Sequence, residues 1–199
     1  MRNCRLIGLT GQTGAGKSAV ADYLSQRGFA VLNADKMVAD VYRESPVCLK
    51  AVAACFGGDI LRADGILDRP LLAKRAFSSP ENTALLGKIV HPFVIAETLR
   101  LLKAQEGMVI LDAPQLFESD MDVLCDCIIG VTAPEAIRLE RILRRDNLTE
   151  EQARERMKAQ LDESFFRENT DHLIENNSDL PQLYARLEAL IKTIKTEVM

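Results

Sequence analysis

Eight residues near the start of the chain have the types and the spacing of a phosphate-binding loop. They read Gly11-Gln12-Thr13-Gly14-Ala15-Gly16-Lys17-Ser18. The glycines let main-chain N–H groups turn inward on a polyphosphate, because a Cβ would collide there or the backbone needs a positive φ. Lys17 is placed to reach the β and γ phosphates, and the Ser18 hydroxyl can ligate Mg²⁺. The run therefore predicts a site for a polyphosphate and a magnesium ion.

The flanking sequence supplies the strand and the helix between which such a loop works. Residues 5–10 are an apolar run typical of a strand buried on both faces. Residues 18–27 carry apolar side chains at helical spacing and stop at Gly28, a natural C-terminal cap. A flexible glycine turn with an incidental lysine is the alternative interpretation, and this context argues against it.

The composition is that of a folded, globular protein. The chain has 199 residues, enough for one domain with a good core, of which 47% are apolar and 27% charged. A formal charge of −4 argues against a general nucleic-acid binder, so an anionic ligand must be met by local geometry. Five cysteines without a leader peptide or a long apolar span favour a cytoplasmic protein over a secreted or membrane protein. Cys125 and Cys127 have no second ligand pair at metal spacing, so we interpret them as buried thiols near a strand.

A second short strand is predicted at residues 29–33, and an acidic residue follows it closely. Ligands of open α/β sheets bind at the carboxyl ends of strands. We place this strand beside the strand that precedes the glycine loop, which makes Asp35 a candidate base. Capping of the next helix, residues 36–43, is an equally good interpretation of Asp35, and the two roles are compatible.

Residues 46–106 form a helical excursion between strands. Ser45-Pro46 starts a helix through Ala54, and two very short segments follow around an Asp64-Gly65 turn. A further helix starts near Pro70, and a long helical pattern runs from 81 to 104. Within the long pattern, Pro92 predicts a kink or a joint between two helices. His91 beside it is more often structural than catalytic on these grounds.

The clearest later strand is residues 108–112, which ends in Asp112. An acid at the end of such a strand is the Walker B form, in which the carboxylate approaches the Mg²⁺ shell. The alternative is a strand-terminal aspartate in a turn before Pro114. Further strands are predicted at 126–131 and 172–175.

Two capping boxes and a terminal pattern predict the last helices. Thr132 with Glu135 opens a helix to Arg145, Thr149 with Gln152 opens one to about Asp162, and a final helix spans 181–195. The first of these helices carries a cluster of arginines, namely Arg138, Arg141, Arg144 and Arg145. The cluster is either a solvated, salt-bridged face or a cationic helix that closes over a nucleotide and neutralises a transferred phosphoryl group.

Taken together, these motifs resemble those of the dephospho-CoA kinase family along essentially the whole chain. The matching residues are residues 9–18, Asn33-Ala34-Asp35, Leu67-Asp68-Arg69, Val90-His91-Pro92, residues 112–118, Arg141 with Arg145-Asp146, Arg156-Met157 with Gln160, and residues 174–177. The resemblance implies ATP-dependent phosphorylation of the ribose 3′-hydroxyl of dephospho-CoA, the final step of coenzyme A synthesis. It also implies an α/β, three-layer P-loop fold with a central parallel five-stranded sheet flanked by helices. As one domain, 1–199, this fold would have its core at 1–35, 107–135 and 170–199, a helical CoA-side region at about 36–106 and a helical lid at about 136–165.

The resemblance also assigns roles to residues of this chain. It implies that Asp35, Lys17 and Arg141 are catalytic, that Gly11, Gly14, Ala15, Gly16, Lys17, Ser18, Ala19 and Arg145 bind ATP, that Ser18 ligates Mg²⁺, and that Asp35, His91, Asp112, Pro114, Phe117 and Glu118 line the acceptor site. Arg141 and Arg145 would be the lid arginines. Three positions depart from the family pattern: Asn33 replaces the usual aspartate, Gln115 a common leucine, and Ala19 a frequent threonine.

The same motifs distinguish this chain from other kinds of P-loop protein. The strand ending in Asp112 does not continue into Asp-x-x-Gly, and Asn176-Asn177-Ser178-Asp179 is not the guanine-reading Asn-Lys-x-Asp, which argues against a GTPase. A module that binds nucleotide without catalysis is disfavoured, because Asp35 and the lid arginines are present. Another P-loop small-molecule or nucleotide kinase is the stronger alternative. We expect no nucleic-acid partner, no membrane, and a monomer or weak homo-oligomer.

Overall fold

The computed structural model describes residues 4–197. The first three and the last two residues of the predicted domain lie outside this range. Two compact units divide the described chain: a smaller one of residues 32–106, and a larger one of residues 4–31 together with residues 107–197.

Five strands form one sheet. They are β1 Cys4–Gly11, β2 Ala30–Asn33, β3 Gly107–Asp112, β4 Cys127–Thr132 and β5 His172–Glu175. The strand order is β2-β3-β1-β4-β5, and β1 pairs in parallel with both β3 and β4, as β4 does with β5. Seven of the eight residues of β1 are buried, as expected for a parallel strand covered on both faces. The predicted five-stranded parallel sheet is therefore confirmed.

The position of β2 corrects one expectation. We placed this strand beside β1, but β3 lies between them. Burial gives the physical reason: the last four residues of β3 are buried, whereas all four residues of β2 are only half-buried. A continuous buried run suits the centre of the sheet, and a partly exposed strand suits its edge. The acid at the end of the strand next to β1 is thus Asp112, and not Asp35.

Nine α-helices occur within the described residues. They are α1 Lys17–Gln26, α2 Ala34–Glu44, α3 Pro46–Phe56, α4 Arg69–Ala76, α5 Pro80–Leu102, α6 Glu135–Asp146, α7 Glu150–Lys158, α8 Glu163–Asn169 and α9 Leu180–Glu197. In the larger unit, α1 and α9 pack over the sheet, with Leu24 and Leu187 against Leu9 and Ile129 in one apolar cluster. This cluster buries the strand and the helix that flank the glycine loop, so it fixes both ends of the loop.

The smaller unit is helical, and α2, α3 and α4 all contact α5. A short antiparallel bridge joins Leu61 to Leu67 across the predicted turn, where Gly65 has a φ of 78°. Pro92 lies inside α5, which is one continuous helix of 23 residues and not two helices that meet at the proline.

The two predicted capping boxes have different outcomes. At the start of α7, Thr149 accepts from the N–H of Gln152, and the Gln152 side chain accepts from the N–H of Thr149, which confirms the second box. The first box is wrong, because Thr132 is the fully buried last residue of β4 and α6 begins after Pro134 without a side-chain cap. The helix expected to reach Asp162 also ends earlier, at Lys158, and Asp162 instead caps α8.

Asn33 is the N-cap of α2. Its side-chain oxygen accepts from the N–H of Lys36 at 2.8 Å. Asp35 lies in the first turn, so the expectation that Asp35 caps this helix is wrong. Asparagine and aspartate cap helices about equally well, which explains how Asn33 can replace an acid here without loss of the helix start.

We predict that Asn33→Ala lowers the free energy of unfolding by about 1 kcal/mol, because one N–H of the first turn loses its acceptor. Asn33→Asp retains an acceptor and is expected to match the unsubstituted chain. Urea denaturation monitored by circular dichroism measures both. Lys36→Ala is the control, since only its main chain enters the cap. Equal losses in Asn33→Ala and Asn33→Asp would contradict the capping role.

Candidate active site

The glycine loop connects β1 to α1 at the carboxyl edge of the sheet. Gly16 precedes the first residue of α1 with φ 97° and ψ 21°, and a Cβ on it would collide with the side-chain nitrogen of Asn176. Gly14 has a φ of 77°, and its Cβ would lie 2.6 Å from the carbonyl oxygen of Arg138. A side chain at either position would therefore strain the backbone and meet a neighbour. The predicted need for glycine at both positions agrees with this geometry.

Two side chains donate to the outward-facing carbonyls of the loop. Asn176 donates from Nδ2 to the carbonyl of Ala15 at 2.8 Å. Arg141, from α6, donates from Nη1 to the carbonyls of Ala15 at 3.2 Å and Gly14 at 3.3 Å. Its Nη2 also donates to the main-chain carbonyl of Asn176 at 3.4 Å. The predicted lid arginine thus contacts the loop itself, and its contact with a phosphoryl group stays a prediction.

Lys17 and Asp112 form an ion pair between the first residue of α1 and the last residue of β3. The two side chains are 13% and 8% exposed. Because β3 is the direct neighbour of β1, the carboxylate at the end of β3 lies beside the lysine that follows β1 and the loop. The Walker B interpretation of Asp112 predicts such a position beside the phosphate site.

Ser18 and Ala19 follow in the first turn of α1. Ser18 is exposed, and the N–H of Ala19 donates to the carbonyl of Gly16 at 3.0 Å. A magnesium ion that bridges phosphates takes one or two protein oxygens and keeps several waters. An exposed hydroxyl on the turn that follows the phosphate loop fits that donor set, so Ser18 is a suitable ligand.

The connection between α7 and α8 contacts the other end of the loop. Gln160 accepts from the N–H of Thr13 through Oε1 at 2.7 Å. Gln12, which is 5% exposed, donates from Nε2 to the carbonyl of Leu161 at 3.5 Å. A segment of the predicted lid is therefore hydrogen-bonded to the loop.

The segment after β3 is held against the rest of the larger unit. The Pro114 carbonyl accepts from the Thr10 hydroxyl at 3.3 Å. Phe117 packs edge-on against Phe165 of α8, with ring centroids 5.0 Å apart. Partial desolvation raises the pKa of the Glu118 carboxyl, although the side chain reaches solvent. Of the predicted acceptor residues in this segment, Phe117 thus borders the aromatic pair of α8.

The remaining arginines of α6 differ in environment. Arg145 is bound by both carboxylate oxygens of Asp146, at 2.6 and 2.7 Å, and this hydrogen bonding raises its pKa while it lowers that of Asp146. Arg138 is 9% exposed, donates from Nε to the Ala133 carbonyl, and has its pKa lowered by burial. The cluster therefore is not a uniform solvated face.

Two predicted site residues belong to the smaller unit. Asp35 is exposed in the first turn of α2, and His91 is half-buried in α5 close to Gly87. Lys17, Asp112, Arg141 and the loop glycines are brought together within the larger unit. The assignment of Asp35 and His91 to the same cleft stays a prediction.

Sequence reasoning gave no role to Asn176 or Gln160, although both matched the family pattern. The available signal for Asn176 was its place: a polar residue directly after the last strand, at the carboxyl edge where the loop also lies. No local pattern indicated Gln160. Cys125 and Cys127 are half-buried, not buried as we interpreted them. Within residues 4–197 no cluster of metal-ligating side chains occurs, and no helix has the length and apolar character needed to cross a bilayer.

A glycine loop between β1 and α1 of a parallel sheet, with an acid at the end of the adjacent strand, identifies a P-loop nucleotide-binding fold. Solved structures agree on this fold: a shikimate kinase from Acinetobacter baumannii aligns with a TM-score of 0.55 at 15% identity over 98% of this chain and 96% of its own. A structure from Thermus thermophilus is more similar, with a TM-score of 0.82 and 31% identity over 96% of this chain and 98% of its own.

Sequence comparison gives the particular family. The dephospho-CoA kinase model matches residues 5–182. The dephospho-CoA kinase of Corynebacterium glutamicum is 37% identical over 96% of this chain and 98% of its own length, and that of Methylococcus capsulatus is 39% identical over 93% and 94%. The chain belongs to the dephospho-CoA kinase family.

We predict that Asp112→Asn lowers the free energy of unfolding by about 3–5 kcal/mol, because it leaves the charge of Lys17 in a largely buried place without its partner. The double variant Lys17→Met with Asp112→Leu is expected to recover most of this loss. Urea denaturation of the single and double variants measures the coupling.

The exposed pair of Arg100 with Glu97 provides the matched control for this cycle. Glu97→Gln should change stability far less than Asp112→Asn, since solvent screens the pair. Similar losses in the two variants would show that burial does not strengthen the pair of Lys17 with Asp112.

Proposed function

We propose that this protein transfers the γ-phosphoryl group of ATP to the ribose 3′-hydroxyl of dephospho-CoA, giving coenzyme A and ADP. The observation that carries the proposal is the family match over residues 5–182, which spans the glycine loop, Asp112 and the α6 arginines. The geometry of the loop supports the nucleotide half of the reaction. The family supports the identity of the acceptor.

The loop and Lys17 bind and orient the nucleotide. In the first turn of a helix such as α1, N–H groups lack acceptors within the helix. They point outward from its N-terminus, where an anion is favoured. Lys17 adds a compact positive charge, which Asp112 holds in place. When bound through Ser18, Mg²⁺ would neutralise charge on the β and γ phosphates. Positioning and charge stabilisation are the main requirements of phosphoryl transfer.

Asp35 is our candidate for the group that accepts or orients the proton of the acceptor hydroxyl. Its carboxylate is exposed, and Asn33, not Asp35, caps α2. The side chain is therefore available to a substrate. His91, Pro114, Phe117 and Glu118 are proposed to contact the acceptor, and Arg141 and Arg145 to stabilise the transferred group.

Another P-loop small-molecule kinase is the alternative, because the shikimate kinases share the fold. At 15% identity that likeness extends to the fold alone. Purified protein incubated with ATP and Mg²⁺ separates the candidates when dephospho-CoA is tested beside shikimate, nucleosides and nucleoside monophosphates. We expect coenzyme A formation, resolved by chromatography, to exceed phosphorylation of every other acceptor. Preference for a different acceptor would refute the proposal.

We predict that Asp35→Asn reduces kcat by about 10²-fold or more with dephospho-CoA, because the acceptor hydroxyl loses its proton acceptor. The affinity for ADP is expected to stay unchanged. Steady-state kinetics and calorimetric titration measure the two quantities.

Asp40→Asn is the matched control, because Asp40 lies on the same helix and pairs with the exposed Arg43. It should retain the activity of the unsubstituted chain. Full turnover in Asp35→Asn would remove Asp35 from the mechanism.

We also predict that Lys17→Ala weakens ADP binding and lowers kcat together. The substitution removes the positive charge that faces the phosphates of the nucleotide. Lys36→Ala removes a lysine outside the loop and should change neither quantity. Retention of both in Lys17→Ala would contradict the phosphate-binding role of the loop.

A further inference from the structure

The peptide between Ala15 and Gly16 is held from one side by side chains of the protein. Its carbonyl accepts from Asn176 at 2.8 Å and from Arg141 at 3.2 Å. We infer that Asn176 is a positioning residue for nucleotide binding: it orients this peptide so that the Gly16 N–H faces the polyphosphate. The inference deepens the proposed function and rests on it for the identity of the ligand.

The geometry of a trans peptide gives the argument. The C=O and N–H of one peptide unit lie in one plane and point in opposite directions. The carbonyl of Ala15 and the N–H of Gly16 belong to the same unit. A donor that holds the carbonyl on the Asn176 side therefore directs the N–H to the opposite side, into the concave face of the loop.

Gly16 cannot hold this orientation by itself. Its φ of 97° lies in a region that glycine enters freely and leaves freely, so the residue that makes the loop possible also makes it flexible. An added Cβ would occupy the place of the Asn176 amide, which shows how closely that side chain lies over the peptide. A fixed external donor can supply the order that glycine lacks.

Asn176 is itself firmly placed. It is 4% exposed and follows directly after β5. Its N–H donates to the carbonyl of Thr132 at 2.7 Å, and its own carbonyl accepts from Arg141 at 3.4 Å. The main chain of Asn176 is thus anchored to the end of β4, and its side chain extends from that fixed point. Its bond to Ala15 is shorter than either bond from Arg141 to the loop, so Asn176 is the main restraint on this peptide.

The test uses the whole protein and calorimetric titration with two ligands, ADP and inorganic tripolyphosphate. In Asn176→Ala the restraint on the Ala15 carbonyl falls to Arg141 alone, and we expect Kd to rise about tenfold for both ligands, with unchanged stoichiometry. The neighbour Asn177 is exposed, and its side chain accepts a hydrogen bond from Arg186, so Asn177→Ala is the matched control and should retain the original Kd.

A charge-matched pair isolates the hydrogen bond. Asn176→Asp keeps the size of the side chain but places a carboxylate oxygen in contact with the Ala15 carbonyl, while Asn177→Asp adds the same charge one residue away. We expect Kd to rise more in Asn176→Asp than in Asn177→Asp. Equal effects would mean that charge alone accounts for the change, and would overturn the inference.

Two further outcomes would also overturn it. A weakened affinity for ADP with an unchanged affinity for tripolyphosphate would mean that Asn176 contacts the nucleoside and does not orient the loop. A lower stoichiometry with the original Kd would mean that the residue only supports folding.

Measurements on the unsubstituted chain keep the inference testable should the variants fold poorly. In ¹H–¹⁵N spectra we expect the Gly16 amide proton to shift downfield on addition of ADP, as an N–H that donates to phosphate does. An unmoved Gly16 signal would refute the inference. Protein that binds ADP but leaves dephospho-CoA unmodified would refute the proposed function alone, because the titrations with the Asn176 variants still decide the role of that residue.

Discussion

The site depends on one constraint: the main chain of a short loop must satisfy its carbonyls on the protein side so that its N–H groups stay available to an anion. A loop that folded back on itself would use up these donors, and an unsupported loop would lose its shape. In this structure Arg141 and Asn176 bind the carbonyls of Gly14 and Ala15. Because α6 and the end of β5 supply these donors, elements distant in sequence determine the shape of the loop.

The ion pair of Lys17 with Asp112 depends on the order of the strands. The lysine at the start of α1 is partnered by Asp112 because the strand next to β1 ends in an acid at the same edge of the sheet. The register of β1 with β3 places Asp112 opposite Leu9, close to the start of the loop. A pair of this kind contributes little net stability when buried, but it fixes where the charge lies. Such fixed charge is what phosphoryl transfer requires of a lysine.

Local signals in the sequence were sufficient for much of this fold. The glycine loop, the strand before it and the helix after it were predicted because turn chemistry and apolar spacing act over a few residues. The capping box at Thr149 was predicted for the same reason. The box at Thr132 has the same pattern, yet it failed because that residue is drawn into the end of a buried strand. Tertiary burial outweighed a local preference there, and no short pattern contains that information.

Strand order and loop support were beyond the reach of such patterns. The alternation of strands and helices predicts a parallel sheet but does not say that β3 enters between β1 and β2. The contact of Asn176 with Ala15 joins residues 161 positions apart, and it exists only because β4 and β5 bring the two together. The resemblance to the family matched the positions of Asn176 and Gln160 without explaining them, since a motif records which residues recur and not what they contact.

The cap of α2 bears on Asp35, the residue that we propose for the acceptor hydroxyl. An aspartate at position 33 would have placed a second carboxylate at the N-cap, beside Asp35, where the N–H groups of the helix start favour negative charge. With Asn33 as the neutral cap, the helix start is satisfied without charge, and Asp35 remains the acidic residue of that turn. The cap hydrogen bond of Asn33 is thus enough to start the helix that carries Asp35, whose side chain is exposed.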